Sequence, residues 1–175
     1  ERMRFVGLAG LCLVGLAVCA EETPFLNAVS LGYGRAQNDI DIYRLGIRKD
    51  SSWSWLENRT GWLSVYYEAS LNVWSKGSEQ VYGGAISPVF IYYFGDKGNS
   101  FHPYVEAGIG AACISDSNID GRQLSTLFQF EDRVGAGVRF ERADVSVRYM
   151  HYSNGSIAEP NQGLDIFIVT LSYRM

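Results

Sequence analysis

Residues 63–73 constrain the fold more than any other stretch. Leu63, Val65, Tyr67, Ala69, Leu71 and Val73 alternate with Ser64, Tyr66, Glu68, Ser70 and Asn72. Successive side chains of a β-strand point to opposite faces, so this run is a strand with one largely apolar face and one face of small, polar or charged groups. The pattern returns along the chain. Val29, Leu31 and Tyr33 oppose Ser30, Gly32 and Gly34, and Tyr43, Leu45 and Ile47 oppose Arg44, Gly46 and Arg48. Val105, Ala107, Ile109 and Ala111 oppose Tyr104, Glu106, Gly108 and Gly110. Phe128, Phe130, Val134, Ala136, Val138 and Phe140 oppose Gln129, Glu131, Arg133, Gly135, Gly137 and Arg139. Further strands are predicted over residues 81–94, 144–154 and 164–174, the first of them interrupted by Gly83-Gly84 and Pro88. A long polar turn with Trp53 and Trp55 is expected over residues 49–61, and residues 115–125 read as the most polar loop.

The start of the chain favours an exported protein. Arg2 and Arg4 precede an apolar run over residues 5–18, and Ala20 offers a small residue for cleavage, so residues 1–20 are expected to be a signal peptide and residues 21–175 the folded domain. Val18 before Cys19 suits a lipidation site poorly. Without that leader Cys113 is the single thiol, which excludes an internal disulfide framework. The net charge of −4 argues against nucleic acid as a partner. After the leader no stretch is apolar and long enough to cross a bilayer as a helix. Export, 19 glycines, 11 tyrosines and repeated alternation together predict an all-β fold, an eight-stranded antiparallel transmembrane β-barrel of a Gram-negative outer membrane.

Such a narrow barrel has room inside only for side chains. The inward phase carries Arg44, Arg48, Glu68, Glu106, Glu131, Arg133, Arg139 and Arg148. These mixed signs imply a lumen filled by ion pairs, which speaks against a channel. With both termini in the periplasm, the loops over 115–125 and 155–163 fall outside the cell and the turns over 95–99 and 141–144 inside.

Strand phase decides where chemistry can occur. On the seventh predicted strand the outward phase runs Val145, Val147, Tyr149, and continues to His151 and Ser153. On the eighth it runs back from Tyr173 through Leu171, Val169 and Phe167 to Asp165. A hairpin centred near Ala158 sets His151 opposite Asp165, about 4.5–5.5 Å apart between Cβ atoms. A hydroxyl, an imidazole and a carboxylate therefore meet on the lipid-facing side, near the outer rim. There a charge facing lipid costs about 0–1 kcal/mol, against about 2–4 at the midplane. These are the parts of a nucleophilic hydrolase, placed where a membrane lipid is within reach.

His151-Tyr152-Ser153-Asn154-Gly155, the loop with Pro160-Asn161, and Asp165 resemble the active-site hairpin of the lipid A 3-O-deacylase (PagL) family. The resemblance implies an eight-stranded outer-membrane esterase that removes the 3-O-linked acyl chain of lipid A, the membrane part of lipopolysaccharide. It implies Ser153 as nucleophile, His151 as general base and Asn154 as an oxyanion-hole residue through its backbone N–H. Asp165 stands where the family usually has a glutamate, and Glu159 in the loop is the alternative acid. No metal and no cofactor are called for. The expected partners are lipid A and outer-membrane lipids, and a homodimer is left open.

Two other readings compete. One is a non-catalytic barrel that supports the envelope or adheres, with His151 and Tyr152 in an interfacial aromatic belt. The other is a different lipid-modifying barrel, a phospholipase or an acyltransferase. Outward-facing catalytic residue types disfavour the first. Short loops and the His-x-Ser-Asn-Gly motif disfavour the second. His102 is assigned a structural role, since no second histidine lies near it in the chain.

Overall fold

The computed structural model describes residues 25–175, so the leader predicted over residues 1–20 lies outside the described residues. Among the described residues ten strands occur in chain order. They are β1 (Ala28–Ala36), β2 (Ile40–Asn58), β3 (Gly61–Lys76), β4 (Glu79–Phe94), β5 (Phe101–Ile114), β6 (Asn118–Ile119), β7 (Arg122–Gln123), β8 (Phe128–Phe140), β9 (Ala143–Ser153) and β10 (Leu164–Arg174). Eight of them close into an antiparallel barrel in the order β1-β10-β9-β8-β5-β4-β3-β2, and β6 and β7 form a separate small hairpin. Closure pairs the first strand with the last, from Ala28↔Arg174 to Ala36↔Ile166. The closed barrel therefore has no unpaired edge strand among the described residues.

The outward phase read from the alternation is the exposed one. Leu31, Leu45, Leu71, Ile109, Val147, Phe167 and Leu171 all lie on the outer wall. In water this apolar surface would be costly. Against acyl chains it is the natural solvent contact.

Inside, three arginines and three glutamates interlock. Arg44 pairs with Glu68 and Glu131, both at 2.8 Å. Arg133 pairs with the same two carboxylates at 2.9 and 2.6 Å, and Arg148 reaches Glu106 at 2.7 Å. Signs balance, and Ser87 and Tyr152 add hydroxyl donors to Glu131. The lumen is filled by this lattice, as the inward phase implied. Above it an apolar cluster of Ile40, Ile42, Trp74, Met150, Leu164 and Ile166 plugs the outer end. Below it Trp62, Tyr66, Tyr93 and Tyr104 close the other end.

Three expectations change. The polar segment over residues 49–61 is not a long turn. β2 runs on to Asn58 and β3 begins at Gly61, with register shifts between Asp50 and Ser54 and between Trp55 and Asn58. Bulged strands absorb extra residues without leaving the sheet, which is why alternation fails there while pairing persists. β4 is continuous through Pro88, which pairs with Tyr67 of β3. On the β5 side the ladder skips from Ile86↔Ala111 to Val89↔Gly108 with the register unchanged, because Pro88 has no N–H to give. The loop over 115–125 contains β6 and β7 and buries Ile119 and Leu124 completely, so a stretch that reads as polar supplies two anchors to the outer plug.

Candidate active site

β9 brings His151 and Ser153 to the outer wall near the rim, two residues apart and on one face. The β9–β10 register opposes Asp165 to His151, as a hairpin centred near Ala158 requires. The two side chains meet, with His151 Nδ1 2.6 Å from Asp165 Oδ1. Both are about one third exposed, so the pair sits at the surface rather than in a pocket. An ionised carboxylate can only accept hydrogen bonds, so Nδ1 carries the proton, which in the neutral tautomer leaves Nε2 as the acceptor.

Asp165 has further partners. Tyr149 OH donates to Oδ1 at 2.6 Å. Gln37, from the short 3-10 turn Gln37–Asp39 between β1 and β2, donates its side-chain N–H to Oδ2. The same amide accepts the Asp165 backbone N–H at 2.8 Å. Neither Tyr149 nor Gln37 stands out in the sequence. Tyr149 reads as an outward aromatic and Gln37 as a generic turn residue.

Ser153 pairs across the sheet with Phe130, and among the described residues its hydroxyl makes no hydrogen bond. Such contacts are often open before substrate binds. A second carboxylate, Asp132 on β8, is the cross-strand partner of His151 on the side away from Asp165. It lies on the outward phase between Phe130 and Val134, so counting by twos along that strand finds it.

Asn154 divides its functions. Its side chain is wholly buried and spends both amide hydrogens on Leu124 O and Ala158 O, each at 2.8 Å. Its Oδ1 accepts the Ile157 N–H. The side chain is thus committed to the loop. The backbone N–H makes only a 3.2 Å bond to Asn161 Oδ1. Glu159 uses its carboxylate on the Asn161 N–H within the same loop and makes no hydrogen bond to His151.

The loop over residues 154–163 rests on the β6–β7 hairpin. Arg122 Nη1 donates to Gln162 O and Gly163 O at 3.1 and 3.0 Å, and the Gln123 N–H donates to Gln162 Oε1 at 2.6 Å. This lays the Gly163 backbone against the imidazole. A Cβ at position 163 would fall 2.7 Å from His151 Cε1 and 3.2 Å from Nε2, and its φ of +62° is the left-handed region that favours glycine. His102 lies among Trp62 and Tyr93 near the Asp96 carbonyl, far along the sheet from this group.

Residues 41–174 match the family model of lipid A 3-O-deacylase (PagL). The chain belongs to the lipid A 3-O-deacylase (PagL) family. The lipid A deacylase PagL of Pseudomonas aeruginosa is 37% identical over 142 residues, 79% of this chain and 81% of that protein. The lipid A deacylase PagL of Bordetella bronchiseptica is 30% identical over 174 residues, 95% of this chain and 94% of that protein. A crystal structure of the outer-membrane enzyme PagL superposes with a TM-score of 0.80 at 34% identity, covering 85% of this chain and 99% of that one. Membership in the PagL family makes this barrel an outer-membrane enzyme, and sets aside the non-catalytic reading.

Proposed function

We propose that this chain hydrolyses the ester-linked 3-O-acyl chain of lipid A, with Ser153 as nucleophile, His151 as general base and Asp165 as the acid that orients it. The observation that carries the reading is the 2.6 Å bond between His151 and Asp165 on the lipid-facing wall, one alternation step from Ser153. Family membership supplies the substrate class, and a site on the outer wall at the rim suits an ester held in the outer leaflet.

In this reading Ser153 Oγ attacks the ester carbonyl carbon while its proton passes to His151 Nε2. The resulting oxyanion is stabilised by the Asn154 backbone N–H, whose long bond to Asn161 yields to the stronger acceptor. Collapse breaks the bond to the sugar oxygen, which takes the proton from His151. Water then attacks the acyl-serine with His151 again as base, releasing the fatty acid and restoring the serine. Asp165 accepts from Nδ1–H throughout and steadies the imidazolium that forms. No step calls for a metal or a cofactor.

Mass spectrometry of lipid A from cells expressing the intact protein or Ser153→Ala tests this. Loss of one 3-hydroxyacyl chain with the intact serine alone is the expected result. Unchanged lipid A in both, with the barrel folded, overturns the reading. Loss of acyl groups from glycerophospholipid instead would favour the phospholipase alternative.

The contact of Gly163 with the imidazole gives a second expectation. Gly163→Ala must strain the backbone or push His151 away from Ser153. Displacements near 1 Å can cost about 100-fold in rate, so a loss of that order in kcat is expected. It should occur while the protein still migrates as a folded barrel on unheated gels.

A further inference from the structure

The acid of the proposed triad is held from outside its own hairpin. We propose that Gln37 is a positioning residue for the reaction, fixing the Asp165 carboxylate in the orientation that meets His151. This rests on the triad reading above.

Three observations converge. First, the β1–β10 ladder ends at Ala36↔Ile166, and Gln37 is next in register with Asp165. Where backbone pairing stops, the Gln37 side chain continues it by accepting the Asp165 N–H at 2.8 Å. Second, the same amide donates its N–H to Asp165 Oδ2. One planar group thus grips both the main chain and the carboxylate of one residue. The arrangement admits a single amide orientation, since the flipped one would set oxygen against carboxylate and N–H against N–H. Third, the turn that carries Gln37 is itself tied down. Lys76 donates to the Asn38 carbonyl, and Arg35 pairs with Asp39 at 3.3 Å.

The carboxylate needs such a grip. Oδ1 is shared by Tyr149 OH and His151 Nδ1, each at 2.6 Å. The terminal torsion of an aspartate is broad and roughly two-fold. Without a donor on Oδ2 the group can turn toward Tyr149 and leave Nδ1 poorly served. Asp165 is about a third exposed, so packing alone does not hold it. Gln37 acts through Asp165 and makes no hydrogen bond to His151 or Ser153.

The test uses the full-length barrel in detergent micelles with lipid A as substrate. Gln37→Met keeps the side-chain shape and removes both hydrogen bonds. It is expected to lower kcat about 10-fold, the order for a hydrogen bond to a charged group, with KM within about two-fold. Gln37→Glu sets a second carboxylate against Asp165 and should lose more. In an Asp165→Ala background Gln37→Met should change kcat by less than about two-fold, because its route to the reaction is gone. Full kcat in Gln37→Met, beside a large loss in Asp165→Ala, overturns this proposal and leaves the triad standing. Independent, additive losses in the double variant overturn it too, since they would mark a merely structural role. Full activity in Asp165→Ala would instead remove the acid itself, and the triad reading with it.

Discussion

Ser153→Ala, His151→Ala and the double variant are expected to fall to one common floor, about 1,000-fold or more below the intact protein in kcat. Residues that act as a unit do not contribute additively, because the nucleophile without its base and the base without its nucleophile each leave the step undone. What survives is binding and the oxyanion donor. Asp165→Ala should retain more activity than either, since in the proposed scheme Asp165 orients and steadies rather than reacts. The measurement is acyl release from lipid A in micelles, with protein folding verified for each variant. A double variant markedly worse than both singles would mean that Ser153 and His151 serve separate steps. A His151→Ala protein with near-normal turnover would remove the general base from the scheme.

The largest effect on stability is expected inside the barrel. Glu131 is fully buried and accepts from Arg44, Arg133, Ser87 and Tyr152. Glu131→Ala leaves two buried guanidinium groups with only the Glu68 carboxylate between them. Removing one partner of a buried ion network typically costs about 3–5 kcal/mol, since the remaining charge stays desolvated and unpaired. Denaturant unfolding in lipid or detergent should show a loss of that size. Glu131→Gln, which keeps some of the hydrogen bonds but not the charge, should fall between. Replacing Arg44 by Met together with Glu131→Ala should recover part of the loss, because a smaller uncompensated charge remains. A Glu131→Ala protein as stable as the original would show that water enters the lumen and screens the arginines.

Much of this was legible in the chain before any coordinate. Alternation by two is indifferent to what surrounds a strand, so it gave the outward phase of β9 and β10 through His151, Ser153 and Asp165. It also gave the inward charges that form the lumen lattice. Register followed from one hairpin midpoint, and Asp165↔His151 bears it out. The missed features have physical reasons. Residues 49–61 lose alternation at bulges, where pairing continues but phase does not. Ile119 and Leu124 are isolated apolar residues in a polar loop, with no period to mark them as anchors. Asp132 was readable by phase but is a lone carboxylate between aromatic and aliphatic neighbours. Gln37 leaves no local signal at all, because its partner lies 128 residues away and only barrel closure brings them together.

That separation ties the site to the way the barrel is made. β1 and β10 are the terminal strands of the sheet, and their meeting turns an open ribbon into a cylinder. A hairpin of β9 and β10 alone can set His151 beside Asp165, but it holds neither Gln37 nor the register that delivers it. A ribbon whose ends have not met would carry the serine and the imidazole with an acid still free to turn. On the proposed triad, joining the two ends of the chain also completes the support of the acid, and an unsealed barrel is expected to be a slow enzyme.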